Sequence, residues 1–515
     1  MKSAINRYRD AINLHREIDR AIMNSNGILN DSQKSLSVED KVKILLTKFS
    51  RISENEVVLP NHTAKDMMTS VFNNADNIDD MNIIDVSSKN AEIAVATYNI
   101  NPNKANDVIS LPSSSISYEF TRKLYSVMGL PLENIILDNT TFDLIDNNRK
   151  DILLKKIKDM NIKNITVVGN IPYQENLGND GRNSSKSKSI YHLFFDSAME
   201  LEPRYISMIM PSRWMTRSAD SVPSKWVDKM LSQNKFKVIH DFENENDCFN
   251  GVDITGGVNY FLWDRDYEGK CEYHFHQTNN NVITRYDYLD SKCAGVVIRD
   301  PQSYSILEKI ELKCGEYYKD ENNNFSGLVS PKDFFSRKPL LTSNWTDYKD
   351  KKDDEYCIKY HLINNDKDRI HRWISLDQLP KHKESKDLHK VYIPAANGSM
   401  EYILGKPFYG EPNSVCSQTF LVIGYDAVKH NLSKEECQNI IKYIYTKFFR
   451  YLVSIKKKTQ NGPRGVYQFV PIQNFTSDSD IDWSKSIEEI DHQLYTKYGL
   501  TEDEIAFIES KIKQM

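Results

Sequence analysis

Between residues 56 and 290 short apolar runs alternate with amphipathic stretches. The runs Met81-Asn82-Ile83-Ile84-Asp85, Asp107-Val108-Ile109-Ser110-Leu111, Asn134-Ile135-Ile136-Leu137, Asn164-Ile165-Thr166-Val167-Val168 and Tyr205-Ile206-Ser207-Met208-Ile209-Met210 are short and apolar. Each predicts a strand. The stretches 117–128 and 190–200 have apolar residues at helical spacing and predict helices between them. Strand and helix in alternation imply an α/β fold, a mostly parallel sheet covered on both faces. Ligands of such sheets bind beyond the carboxyl ends of the strands.

The rest of the chain has other rhythms. Residues 5–22 and 38–49 mix apolar and charged positions at helical spacing, with loop composition between them at Asn24-Ser25-Asn26-Gly27 and Asn30-Asp31-Ser32. From about 300 to 475 the alternation is lost, and loop-rich stretches at 320–324 and 349–354 predict a mixed α+β domain. The tail reads as helix over 483–498, followed by a new start at Thr501, whose Glu504 completes a capping box. The expected division is a helical segment 1–55, an α/β domain 56–295, a mixed domain 296–475 and a helical tail 476–515. No internal repeat is visible.

Composition narrows the class. A chain of 515 residues is too long for one ordinary core. Its 39% hydrophobic and 27% charged residues fit a globular protein, and no apolar run approaches the roughly 20 residues that cross a bilayer. The first residues, Met1-Lys2-Ser3-Ala4-Ile5-Asn6, lead into charge rather than a secretory apolar stretch. Seven cysteines are scattered between Cys248 and Cys437 without a Cys-x-x-Cys pair. That pattern suits a reducing cytoplasm and argues against a disulfide framework or a zinc knuckle. His274 and His276 share a strand face but lack further partners for a metal, so no metal site is expected. The net charge of −5 excludes a uniformly basic coat and leaves room for a local basic surface.

The candidate chemistry follows the fourth run, in Val167-Val168-Gly169-Asn170-Ile171-Pro172-Tyr173-Gln174, a buried strand entering a rigid polar turn. The bland reading is an ordinary Asn-x-Pro turn. The functional reading starts from the exocyclic amine of a nucleobase, whose lone pair is delocalised into the ring. Two carbonyl oxygens accepting its N–H bonds draw the nitrogen towards tetrahedral geometry and stabilise the positive charge that develops on methylation. The Asn170 side-chain carbonyl and the Ile171 main-chain carbonyl are the candidate acceptors. Pro172 fixes the backbone, and Tyr173 is placed to stack on a base flipped out of the duplex.

With a cofactor-like segment upstream at Ile83-Ile84-Asp85-Val86-Ser87-Ser88-Lys89-Asn90-Ala91-Glu92-Ile93-Ala94, the chain resembles the gamma-class adenine-N6 DNA methyltransferases of type II restriction-modification systems. Their catalytic pattern is Asn/Asp-Pro-Pro-Tyr/Phe, and Ile171 stands here for the first proline. Ribosomal RNA dimethyladenosine transferases carry a similar Asn-Ile/Leu-Pro-Tyr. The resemblance covers residues 56–265 and, more loosely, the chain from there to its C-terminus. It implies a Rossmann-like S-adenosylmethionine-dependent methyltransferase domain followed by a mixed α+β target-recognition domain, with S-adenosylmethionine as cofactor and double-stranded DNA as substrate. It further implies a site-specific modification enzyme of a prokaryotic or phage restriction system, in the cytoplasm.

The resemblance also implies cofactor positions. These are Asp85, Ser87, Lys89 and Ala91 in the turn, Pro60 and Thr63 in Val57-Val58-Leu59-Pro60-Asn61-His62-Thr63-Ala64, and Asp138 after the third strand. Lys89 and Ala91 stand where typical members have glycine, and Asn90 is a residue that tolerates left-handed backbone. The acid that normally follows the second strand is missing, which leaves Ser113 or a main-chain group in its place. Pro60 and Thr63 also read as an ordinary helix start, and Asp138 as a turn residue. The segments 189–195, 208–214 and 249–261 look like the same family.

The stretch 438–476 contains neither Asp nor Glu and interleaves lysines and arginines with aromatic residues. Lysines near phosphates release counterions, and arginine reads guanine edges. Lys456, Lys457, Lys458 and Arg464 are therefore candidate DNA contacts, as are Arg182 and Lys186 in the loop after Tyr173. The alternative is a solvated face behind a core helix or, for the second loop, plain surface.

A fused nuclease would need an Asp ahead of Glu-x-Lys. The one tempting match, Asp300 with Glu311-Leu312-Lys313, lies in an amphipathic stretch that predicts a helix over 304–312. Cleavage is expected instead from a separate endonuclease subunit or a portion of protein upstream. Two other readings stay open: an RNA adenine methyltransferase, and a non-catalytic DNA-binding specificity subunit with a degenerate cofactor pocket.

Overall fold

Four of the five predicted strands form and lie side by side in one sheet. The computed structural model describes residues 51–515 apart from 54–55, 161, 177–186, 220, 250–253, 255, 279–280, 293–294, 365, 397–401 and 458–459. The helices predicted over 5–22 and 38–49 lie outside the described residues. The chain divides into two units, Met1–Leu289 and Asp290–Met515.

Unit 1 contains, in chain order, β1 (Arg51–Ser53), β2 (Glu56–Val57), α1 (Asn61–Asn74), β3 (Asn82–Ser88), α2 (Glu92–Ile100), β4 (Val108–Pro112), α3 (Ser115–Met128), α4 (Lys150–Asp159) and β5 (Ile165–Asn170). There follow β6 (Gln174–Asn176), β7 (Ser187–Ser189), α5 (Tyr191–Met199), β8 (Tyr205–Pro211), α6 (Ser224–Ser232), β9 (Phe236–Phe242), β10 (Val258–Asp264), β11 (Cys271–His276) and β12 (Val282–Asp287). Eight strands pair in the order β12-β11-β9-β10-β8-β5-β3-β4. β8, β5, β3 and β4 run parallel, while β10 is antiparallel to both β8 and β9.

The parallel strands read as nearly continuous apolar runs because both faces are covered. In β3, Ile83, Ile84 and Val86 are fully buried, each contributing roughly 1.5–3 kcal/mol of apolar burial. From β3 the chain steps outward to β4, then returns to the opposite side of β3 as β5. That reversal makes the carboxyl ends of β3 and β5 the topological switch point, where open α/β sheets bind ligands. β5 approaches β3 closely there: a Cβ built on Gly169 would stand 3.0 Å from Val86 Cγ2.

The strand predicted over 134–137 does not form. Pro131 leads into a 3-10 turn at Leu132–Asn134, and only a bridge from Ser110 to Ile135 reaches β4. Ile135 and Ile136 are the only buried residues of the run, Leu137 is exposed, and Asp138 turns away with φ 63. Two buried residues are too few to carry an edge strand.

Unit 2 contains α7 (Pro301–Cys314), β13 (Ile358–Ile363), β14 (Arg369–Ile374), β15 (Lys390–Pro394), β16 (Phe408–Gly410), β17 (Ser414–Cys416), β18 (Phe420–Ile423), α8 (Lys434–Tyr445), α9 (Lys447–Lys456), α10 (Ile487–Tyr498) and α11 (Glu502–Lys511). Two three-stranded sheets, β14-β13-β17 and β16-β15-β18, accompany the helices in a mixed α+β arrangement. Ile306, Ile440, Phe448, Phe449, Leu494 and Ile508 belong to one apolar core. α10 starts at Ile487 rather than at 483, because Ser486 and Glu489 form a capping box. The Thr501–Glu504 box forms at the start of α11. α7 takes up the Asp300–Lys313 segment. Asp300 caps it through Ser303 N at 2.9 Å and Glu311 accepts from Tyr318 at 2.8 Å, so these acids serve as helix cap and packing partner. Among the described residues no helix is long and apolar enough to cross a membrane.

Candidate active site

The turn after β3 is built without glycine. Its left-handed residue is Ala91, at φ 60 and ψ 32, and not the Asn90 that sequence reasoning singled out. Left-handed backbone costs an ordinary residue about 1–2 kcal/mol, so something must hold it. The holder is Glu92. Its Oε2 accepts from Lys89 N at 2.9 Å and Asn90 N at 3.1 Å, and its Oε1 lies 3.4 Å from Leu59 N. Ser88 Oγ accepts from Ala91 N at 3.2 Å. One carboxylate thus gathers the amides of the turn, the work that glycine flexibility does elsewhere.

Within this turn Asp85 is 1% exposed, and one carboxylate oxygen, Oδ1, accepts from Ser87 N at 3.1 Å. Oδ2 is buried without a partner, as are both polar side-chain atoms of Asn90. Burial first, and the neighbouring Glu92 carboxylate second, push the Asp85 carboxyl up to about 8. Buried polar atoms are normally satisfied, so three orphaned atoms at the switch point mark a place where a polar ligand fits.

The corner after β5 lies against this turn. Asn170 is 6% exposed; its Nδ2 donates to Val57 O at 2.9 Å, and Tyr173 OH stands 3.4 Å from its Oδ1. Fixing the amide nitrogen on Val57 leaves Oδ1 as the acceptor side. Ile171 buries its side chain. β8 pairs with Asn170 at Ile209 and ends on Pro211, which has no N–H to extend the ladder. Tyr173 is half-buried, with its ring edge-to-face against Phe249 at 6.4 Å, and burial raises its hydroxyl above the usual range. Lys89, 4% exposed, donates from Nζ to Asn170 O at 2.5 Å, to Ser87 O at 3.2 Å and to Ser87 Oγ at 3.1 Å.

Residues 84–249 match the model of the Eco57I restriction-modification methylase family, a span that takes in both the turn and the corner. The matched span lies within unit 1. Over 104 residues the chain is 38% identical to an uncharacterized adenine-specific methylase of Mycoplasma pneumoniae, covering 20% of this chain and 24% of that protein's length. Among solved structures, the type IIG restriction endonuclease BpuSI aligns at 14% identity over 91% of this chain and 66% of its own, with a TM-score of 0.43. A type I restriction-modification methyltransferase subunit from Streptococcus thermophilus aligns at 14% identity over 47% and 54%, with a TM-score of 0.36.

The other positions expected at the site are distributed unevenly. Pro60 precedes α1, and Thr63 Oγ1 donates to Cys248 O at 2.8 Å, a tie that clips α1 to the segment carrying Phe249. Ser113 lies beside the turn, with its N–H on Ser88 O at 2.8 Å and its hydroxyl 2.8 Å from that of Ser117. Asp138 is exposed in its left-handed turn, and its carbonyl receives Arg149 at 3.0 Å. Sequence reasoning placed Glu92 at the end of an Asp-x-x-Ser-Lys-x-x-Glu pattern without giving it a role, and passed over the Val57 carbonyl. Glu92 had a signal, an acid three residues past Lys89 and poised to reach back as in a capping box. The Val57 contact, 113 residues from Asn170, had none.

Elsewhere in the domain, the histidines of β9 and β11 stack with one another, His240 on His274 at 4.4 Å, and His240 Nδ1 lies 3.1 Å from His276 Nε2. Burial lowers His240 to about 3 and His276 to about 4. Among the described residues no group of three ligating side chains is arranged to hold a metal ion.

In unit 2 the acid-free stretch is packed helix and turn. Lys456 donates to Gln468 Oε1 at 2.5 Å, and Lys457 is 2% exposed. Arg464 binds Ser326 O at 2.9 Å and Glu321 at 2.6 Å. Lys458, Arg182 and Lys186 lie outside the described residues.

Proposed function

We propose that the chain transfers a methyl group from S-adenosylmethionine to N6 of an adenine extruded from duplex DNA, as the modification component of a restriction-modification system. One observation carries the reading: a turn with three orphaned polar atoms adjoins an Asn-Ile-Pro-Tyr corner at the switch point of a methylase domain. Asp85 and Asn90 would hold the cofactor, because a carboxylate oxygen and an amide with no other partner suit its hydroxyl and amino groups. Bound S-adenosylmethionine supplies an electrophilic methyl group. Asn170 Oδ1 and the Ile171 carbonyl receive the two hydrogens of the adenine amine and stabilise charge as it develops on nitrogen. Pro172 holds the second carbonyl in place. Tyr173 offers a ring face to the flipped base.

DNA contact is assigned to Arg182, Lys186 and Lys458, whereas Lys456, Lys457 and Arg464 would have to exchange internal contacts for phosphate. Target recognition belongs to unit 2, and strand cleavage to a separate endonuclease subunit.

The test is incubation with labelled S-adenosylmethionine and either duplex DNA or RNA, followed by mass spectrometry of the nucleosides, alongside calorimetric titration of the cofactor. N6-methyladenine in the DNA is expected. Methylation confined to RNA would favour the RNA enzyme. Absence of cofactor binding, with or without DNA, would favour a non-catalytic specificity subunit.

A further inference from the structure

Lys89 is the one lysine of the turn after β3. It occupies a position where a glycine was anticipated, it is almost fully buried, and its ammonium leaves the turn to bind the main-chain carbonyl of Asn170. A buried ammonium needs its donors satisfied. Lys89 meets that need on Ser87 O, Ser87 Oγ and Asn170 O, two acceptors from the cofactor turn and one from the corner. Glu92 accepts from the main-chain N–H of Lys89, so an acid of the turn fixes the backbone that carries the cation.

The choice of acceptor matters. The Asn170 carbonyl belongs to the planar peptide joining Asn170 to Ile171. Holding its oxygen fixes that plane, and with it the origin from which the next carbonyl, that of Ile171, is directed. Pro172 restricts the far side of Ile171. We propose that Lys89 is a positioning residue: through Asn170 O it ties the cofactor turn to the catalytic corner and aims the Ile171 carbonyl at the incoming amine. The inference rests on the methyltransferase reading. A misplacement of an ångström at such a site lowers rate by about 100-fold.

The experiment compares Lys89→Met, Lys89→Gln and Lys89→Arg with the wild type in single-turnover methylation of duplex DNA, with cofactor affinity from calorimetry and folding from thermal melts. Lys89→Met should lower the single-turnover rate constant by roughly 100-fold while DNA KM and cofactor Kd move by less than about 3-fold. Lys89→Gln should be intermediate, and Lys89→Arg, which keeps a charged donor, should recover most of the rate. If Lys89→Met fails to fold, the same split between rate and affinity in Lys89→Gln, with recovery in Lys89→Arg, decides the matter. A folded Lys89→Met with wild-type rate overturns the inference. So does a loss carried wholly by cofactor affinity, or one that arginine does not repair. A wild-type protein inactive on adenine overturns the methyltransferase reading instead.

Discussion

Lys89 in unit 1 and Arg450 in unit 2 are both buried cations, and their acceptors are of different kinds. The guanidinium of Arg450 is fully buried and donates to Tyr445 O at 3.1 Å, Thr446 O at 3.2 Å and Lys513 O at 2.7 Å. The first two are carbonyls at the carboxyl end of α8, where a cation also complements the helix dipole. Nearby Asp491 does the reverse, accepting from Lys447 N at 2.8 Å and Phe448 N at 2.9 Å at the start of α9. That pair closes helix ends. Lys89 closes none; it joins the turn after β3 to the corner after β5. A buried charge is read from what it holds, since burial alone is common to both.

The comparison breaks most forcefully at Arg450. Arg450→Met removes the side-chain donor shared by the Tyr445, Thr446 and Lys513 carbonyls and should destabilise unit 2 by about 3 kcal/mol, measured by urea unfolding, with cofactor affinity unchanged. If cofactor affinity fell as well, the two cations would not have separate roles.

A second break uses pH. The raised Asp85 carboxyl keeps its proton in the folded state to about pH 8, while the unfolded chain loses it near the usual carboxylate value. Folded unit 1 therefore binds more protons across that window, and this group's contribution falls as pH rises from about 4 to about 8. Asp85→Asn should flatten that part of the stability profile. An unchanged profile would place the ionisation elsewhere.

The smallest effect is expected at Ala91. Ala91→Gly removes the cost of left-handed backbone but also loses a buried methyl and frees the unfolded chain. These terms offset, so stability should change by less than about 1 kcal/mol, with cofactor affinity retained. A large loss of affinity would mean that the methyl group itself contacts the ligand.

Much of the site's scaffold was legible because it is local. The apolar runs at β3, β4, β5 and β8 carry their own period, and the Asn-x-Pro corner follows directly from one of them. What escaped depends on partners far along the chain. The stretch 438–476 reads as an open basic surface because it contains no acid. Yet Arg464 meets Glu321 and Lys447 meets Glu509, acids 143 and 62 residues away. The run 134–137 failed as a strand because Pro131 and the turn at Asp138 left too short a buried segment. Ala91 in a left-handed turn was missed for another reason: single-residue preference points to Asn90, whereas the carboxylate of Glu92 fixes the amides of Lys89 and Asn90 and the bend falls one residue later.

The most direct measurement is single-turnover transfer of labelled methyl to adenine N6 by the wild type and by Asn170→Ala, with cofactor binding followed in parallel. If Asn170 Oδ1 receives the amine, the variant should bind the cofactor normally and lose about 100–1,000-fold in rate. An Asn170→Ala protein that binds the cofactor and methylates adenine at the wild-type rate would contradict the account.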